Sequence, residues 1–79
     1  MRVRVKLFAT LARFSPGGLP GTPFDLDIPD QAALCDLVKM LQIPPEETKI
    51  AFVNGIIQDL DWKLKANDEV GLFPPVGGG

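Results

Sequence analysis

Residues 2 to 8 alternate polar and apolar, with Arg2, Arg4 and Lys6 set against Val3, Val5 and Leu7. That period of two predicts a half-buried strand whose apolar positions face a core and whose cations share the other face. Ala9 to Phe14 breaks the alternation and predicts a short helix, which Ser15-Pro16-Gly17-Gly18 ends before a loop running through Pro20-Gly21. Phe24, Leu26 and Ile28 then alternate with Asp25 and Asp27, predicting a second strand with its carboxylates in water. Pro29-Asp30 predicts the start of the main amphipathic helix, with Asp30 as its cap and Leu34, Leu37, Val38 and Leu41 on the inner face. Ile43-Pro44-Pro45 ends that helix by removing backbone donors and disfavouring helical geometry ahead of each proline, and Glu46 to Thr48 makes a single turn.

Lys49 to Val53 and Ile56 to Gln58 are short apolar runs joined by Asn54-Gly55, a dipeptide suited to the positive φ angles of a type I′ turn. Asp59 to Asn67, with Trp62 and Leu64, predicts a connection holding one helical turn. Asn67-Asp68 turns the chain into a strand over Glu69 to Phe73, which Pro74-Pro75 closes. The order strand, short helix, strand, long helix, hairpin, strand implies an α+β domain in which one main helix covers one face of a mixed sheet of four to five strands. If Ala51, Val53, Val70 and Leu72 face the helix, then Ile50, Phe52 and Phe73 lie on the uncovered side, an apolar group of the kind that marks partner surfaces. The alternatives are the opposite register or cover by a local loop.

Length and composition narrow the choice of chemistry. With 79 residues the chain makes one domain, with little room for an enclosed active site. A net charge of −2 argues against nucleic-acid binding. The Arg2, Arg4 and Lys6 face reads as a solvated sheet surface, or else as a contact for an acidic partner. Cys35 has no second cysteine to pair with, and neither a signal peptide nor a long apolar run is apparent, so the expectation is a cytoplasmic protein without membrane partners.

Histidine and tyrosine are absent, so no triad or metal cluster can be assembled. Cys35 follows core-facing Leu34 and should be partly buried on the helix flank. Asp25 and Asp27 have no apolar neighbour to raise a pKa. Gly17, Gly18 and Gly21 lack the Lys-Ser/Thr of a phosphate loop. What remains is the run Gly77-Gly78-Gly79. Without Cβ atoms, such a run can thread a narrow channel, which suits it to delivering a C-terminal carboxylate into another protein's nucleotide site. A partner that binds ATP can there convert it to an acyl-adenylate, which makes transfer to a sulfur or nitrogen nucleophile feasible. The division expected is a domain over 1–76 and a flexible glycine tail over 77–79.

The segment Val3 to Leu11, Val53-Asn54-Gly55, Asn67-Asp68-Glu69-Val70 and the ending Phe73-Pro74-Pro75-Val76-Gly77-Gly78-Gly79 together resemble the ubiquitin-like (β-grasp) sulfur carriers, above all the small subunit of molybdopterin synthase. The likeness spans essentially the whole chain, and the Phe-Pro-Pro-Val-x-Gly-Gly ending is its sharpest part. It implies a β-grasp sheet with the first and last strands adjacent and parallel. It also implies a Gly79 that is adenylated and converted to a thiocarboxylate, donating sulfur in molybdenum or tungsten cofactor biosynthesis. Gly78 and Gly77 would be the thin part of the tail, and Phe73, Pro74, Pro75 and Val76 the docking neck, with Phe52 beside it. The implied partners are an E1-like adenylating enzyme, which uses ATP, and the large subunit of the synthase; the carrier holds no permanent cofactor and no side-chain active site of its own. Gly77 departs from the family pattern, which frequently has a side chain there. A carrier for thiamine or another pathway, a ubiquitin-like protein modifier and a plain interaction module remain open on the same residues.

Overall fold

The computed structural model describes residues 1–48 and 50–75. Its strands are β1 (Arg2–Leu7), β2 (Phe24–Asp27), β3 (Ile50–Val53), β4 (Ile56–Gln58) and β5 (Glu69–Phe73), with one α-helix, α1 (Leu34–Met40). They form a five-stranded mixed sheet in the order β2-β1-β5-β3-β4. β1 runs parallel to β5 in the middle of the sheet, with Val5 beside Val70 and Leu7 beside Leu72, while the other pairings are antiparallel. The strand count is thus the upper of the two expected.

Alternation decides the faces. Val3, Val5 and Leu7 of β1, Ala51 and Val53 of β3, and Val70 and Leu72 of β5 are buried against Leu34, Leu37 and Val38 of α1. Burying each large side chain of this layer stabilises the fold by about 1.5–3 kcal/mol relative to exposure. Leu26 and Phe24 of β2 are only half-buried against the same core, as suits an edge strand.

The hairpin falls where Asn54-Gly55 requires it, with φ of 53° at Asn54 and 84° at Gly55. Asn54 also reaches across to the turn before β5. Its Nδ2 donates to Asp68 Oδ1 at 2.9 Å, its Oδ1 accepts from the Glu69 N–H at 2.9 Å, and the other Asp68 oxygen accepts from the Lys65 N–H at 2.8 Å. A buried carboxylate and an αL asparagine thereby tie two turns together at one end of the sheet.

Three sequence expectations need correction. Asp30 does not cap the helix: it lies 3.4 Å from the Met1 ammonium, and α1 begins at Leu34. Gln31 has a positive φ of 65°, Ala33 bridges to Lys63, and the first free N–H groups are taken by loop carbonyls, Leu34 N–H by Trp62 O at 3.0 Å and Cys35 N–H by Leu60 O at 2.8 Å. Asp36 closes the turn by accepting from the Ala33 N–H at 2.9 Å. The helix also ends before its prolines act. Gln42 adopts φ 61° and donates to Lys39 O, and the Ile43 N–H donates to Val38 O at 3.1 Å, the paired bonds of a Schellman ending in which buried Ile43 supplies the apolar contact. Finally, Asp59 to Asn67 contains turns and the isolated bridge at Lys63 but no helix. Ala9–Phe14 and Pro45–Glu47 are 3₁₀ turns. Lys49 lies outside the described residues.

Candidate functional site

The face of the sheet turned away from α1 is open, and the register lays it out in rows. Ile57 stands opposite Phe52, which stands opposite Gly71, which stands beside Lys6. In the adjacent row Ile50 faces Phe73. Phe8, one residue past β1, continues that row because its N–H donates to Leu72 O at 3.1 Å and carries on the parallel ladder. Its ring stacks on Phe73 with centroids 4.3 Å apart and planes 2° from parallel. Phe52 meets Phe73 edge-on at 5.5 Å and 74°. Each such aromatic pair contributes about 0.5–1.5 kcal/mol beyond the area it buries.

Gly71 makes this packing possible. A Cβ there would sit 3.3 Å from Phe8 Cε2, and one at Gly21 would sit 3.4 Å from Phe8 Cε1, so the Phe8 ring is held between two backbones. An open depression of about 400 Å³ follows, lined by Lys6, Phe8, Phe52, Gly71 and Phe73 and reaching Glu69. Ile57, opposite Phe52 in the ladder, is 63% exposed.

Beyond the apolar rows the same face is charged and self-neutralising. Asp27 accepts two bonds from Arg2, at 3.0 and 3.4 Å, and Arg4 Nε lies 3.4 Å from Asp25 Oδ1. The Arg2 hydrogen bonds hold the Asp27 carboxyl below the usual carboxylate range, and the same contact raises Arg2. Both groups are exposed, so the pair adds little to stability.

Of the residues singled out in the sequence, Phe52 and Phe73 come together on the open face, and Pro74 and Pro75 continue directly from β5 beside them. Val76, Gly77, Gly78 and Gly79 lie outside the described residues. Cys35 is half-buried on α1. Among the described residues no group of three or more His, Cys, Asp or Glu side chains is placed to hold a metal ion, and no helix is long and apolar enough to cross a membrane. Sequence reasoning missed Phe8, Gly71 and Ile57. Phe8 has the same parity as Lys6, which signals its face, whereas Gly71 and Ile57 gain meaning only from the strand order.

A five-stranded mixed sheet with its outermost strands in sequence paired in parallel, one helix across one face and an apolar patch on the other defines the ubiquitin-like β-grasp class. Within that class the chain belongs to the ThiS family, whose model matches residues 5–79, and it is a ubiquitin-like sulfur carrier by family. Three solved structures extend the comparison. A putative molybdopterin converting factor subunit 1 from Pyrococcus furiosus is 27% identical, with a TM-score of 0.72 over 96% of this chain and 99% of the other. SAMP1 from Haloferax volcanii is 26% identical, with a TM-score of 0.69 and full coverage of both chains. A complex of subunits 1 and 2 of molybdopterin-converting factor from Helicobacter pylori is 26% identical, with a TM-score of 0.61 and full coverage of both. Among curated proteins no sequence match is significant.

Proposed function

We propose that this carrier supplies sulfur for molybdopterin formation, with Gly79 as the terminal residue whose carboxylate is activated. The observation that supports this most is the continuity of the open aromatic face, Phe8, Phe52 and Phe73, with the Pro74-Pro75 neck, in a chain of this family and with this ending. A partner seated on the face receives whatever follows the neck at a fixed distance and direction. Two successive prolines hold φ near −65° at each step, so the neck leaves the sheet as a stiff, extended spacer.

The chemistry then takes place in the partners. In an adenylating enzyme of the E1-like kind, a Gly79 carboxylate oxygen attacks the α-phosphorus of ATP, pyrophosphate leaves, and the acyl-adenylate forms. A sulfide-level nucleophile attacks the carbonyl carbon and AMP leaves, giving the thiocarboxylate. The large synthase subunit then accepts the charged tail, a step favoured by the similarity to a carrier found with its second subunit in Helicobacter pylori. Gly77 and Gly78 leave the tail thin enough for both sites.

Intact-mass measurement of protein from cofactor-producing cells of the native host tests this. A fraction heavier by one sulfur-for-oxygen exchange, localised to the terminal peptide, is expected; its persistent absence would sink the reading. Gly79→Ala should lower sulfur transfer by about 100-fold, because a methyl at the reacting carbonyl displaces it within the site. A second reading, covalent attachment to target lysines, is favoured by the similarity to SAMP1, a small archaeal modifier protein. It predicts glycine remnants on lysines in digests of the same cells.

A further inference from the structure

Every arginine of the open face has a carboxylate set against it in the sheet itself. Arg2 is opposite Asp27, and Arg4 is opposite Asp25 in β2 and Glu69 in β5. Lys6 is different. Its neighbour in β5 is Gly71, and the β2 ladder ends at Val5 and Phe24, one position short of it. Among the described residues no carboxylate lies within 4.0 Å of its ammonium, and its side chain forms a wall of the depression beside Phe8, Phe52 and Phe73. Glu69 reaches the same depression from the Arg4 side.

A protein that covers the aromatic rows therefore strips water from Lys6. The alkyl stem packs on the rings without loss, but an ammonium taken out of water without a counter-charge opposes binding. The described residues supply no counter-charge at that position, so the partner must. We propose that the large synthase subunit presents a carboxylate, set within an apolar contact area, that pairs with Lys6 when the two proteins dock. This rests on the molybdopterin reading above and adds the chemistry of the partner's surface. The same geometry makes Lys6 a selector: a partner with an apolar surface but no acid, or with a cation there, is rejected.

The test is equilibrium binding of the full-length carrier to the large subunit from the same host at low and high salt. Lys6→Met keeps the stem but leaves the partner's carboxylate desolvated and unpaired, and should bind about 30-fold more weakly at low salt. Lys6→Glu should lose about 100-fold or more, and Lys6→Arg should stay within about twofold of the parent. The gap between parent and Lys6→Met should narrow but persist at high salt, because a pair set in an apolar contact area is screened much less than an exposed one. Arg2→Met, at the far end of the face, should stay within about twofold. Unfolding curves of the Lys6 variants that match the parent keep lost binding from being mistaken for lost fold. Equal affinity of Lys6→Met and the parent overturns the proposal, and so does a Lys6→Glu variant that binds no worse than Lys6→Met, since a facing carboxylate would repel it. Self-association that depends on Lys6, with no Lys6 effect on the large subunit, also overturns it by assigning the face to a second copy. If the parent does not bind the large subunit at all, the molybdopterin reading falls and this inference with it. If the parent binds and the Lys6 variants bind alike, only the inference falls.

Discussion

Asn54 combines two roles that substitutions can separate. It adopts a positive φ, and its side chain bonds to Asp68 and Glu69. Asn54→Ala loses both and leaves the buried Asp68 carboxylate short of a donor, so urea unfolding should register a loss of about 2–3 kcal/mol. Asn54→Gly keeps the turn and loses only the bonds, and should cost about 1 kcal/mol less than the alanine variant. Equal losses would show that the backbone angle is immaterial. At Asp27 the prediction is one of pH. Its folded pKa lies below the ordinary carboxylate value because of the Arg2 hydrogen bonds, so its contribution is present at neutral pH and fades as pH falls through the carboxylate range. Asp27→Asn should therefore unfold slightly earlier than the parent at neutral pH, with the difference vanishing in acid. A gap that widened in acid would contradict the assignment.

Among the elements, α1 is short at both ends for reasons that propensity alone does not reveal. Its last turn closes through Gln42 in the left-handed region, where an L side chain costs about 1–2 kcal/mol and glycine is the usual occupant. Gln42→Gly should stabilise the protein by about 0.5–1 kcal/mol, read as a higher urea midpoint at unchanged slope, because glycine's greater freedom when unfolded offsets part of the gain. The strands and the Asn54-Gly55 hairpin were legible because alternation and turn chemistry are local signals. The start of α1 was not, since Asp30 at a Pro-Asp pair looks like a cap while the N–H groups are satisfied by Trp62 and Leu60 carbonyls far along the chain. Likewise Ile43-Pro44 reads as the helix stop in sequence, but the Schellman bonds end the helix first. Of the candidate site, period two placed Phe52 and Phe73 on one face, but the Phe8 stack depends on the parallel pairing of β1 with β5 and on the missing Cβ of Gly71, neither of which is written in either strand alone.

At the scale of the whole molecule, the sheet divides its labour between faces. Removing an open-face aromatic should separate recognition from stability. Phe52→Ala should lower stability by about 1–3 kcal/mol, through its half-buried area and its aromatic pairing together, while weakening partner binding by about 30-fold, as expected of a central interface aromatic. Unchanged partner affinity in a variant that has lost stability would mean that Phe52 serves packing alone. The parallel pairing at the centre of the sheet carries a further consequence, for the timing of assembly. β1 is made first and its central neighbour β5 follows only after everything between them, so the middle of the sheet cannot close until residue 73 has been synthesised. Contacts this distant along the chain form late and slowly. The aromatic row that borders the neck is built from those same two strands, so a nascent or truncated copy displays no finished landing surface. Until the two strands have paired, the row does not exist for any partner to meet.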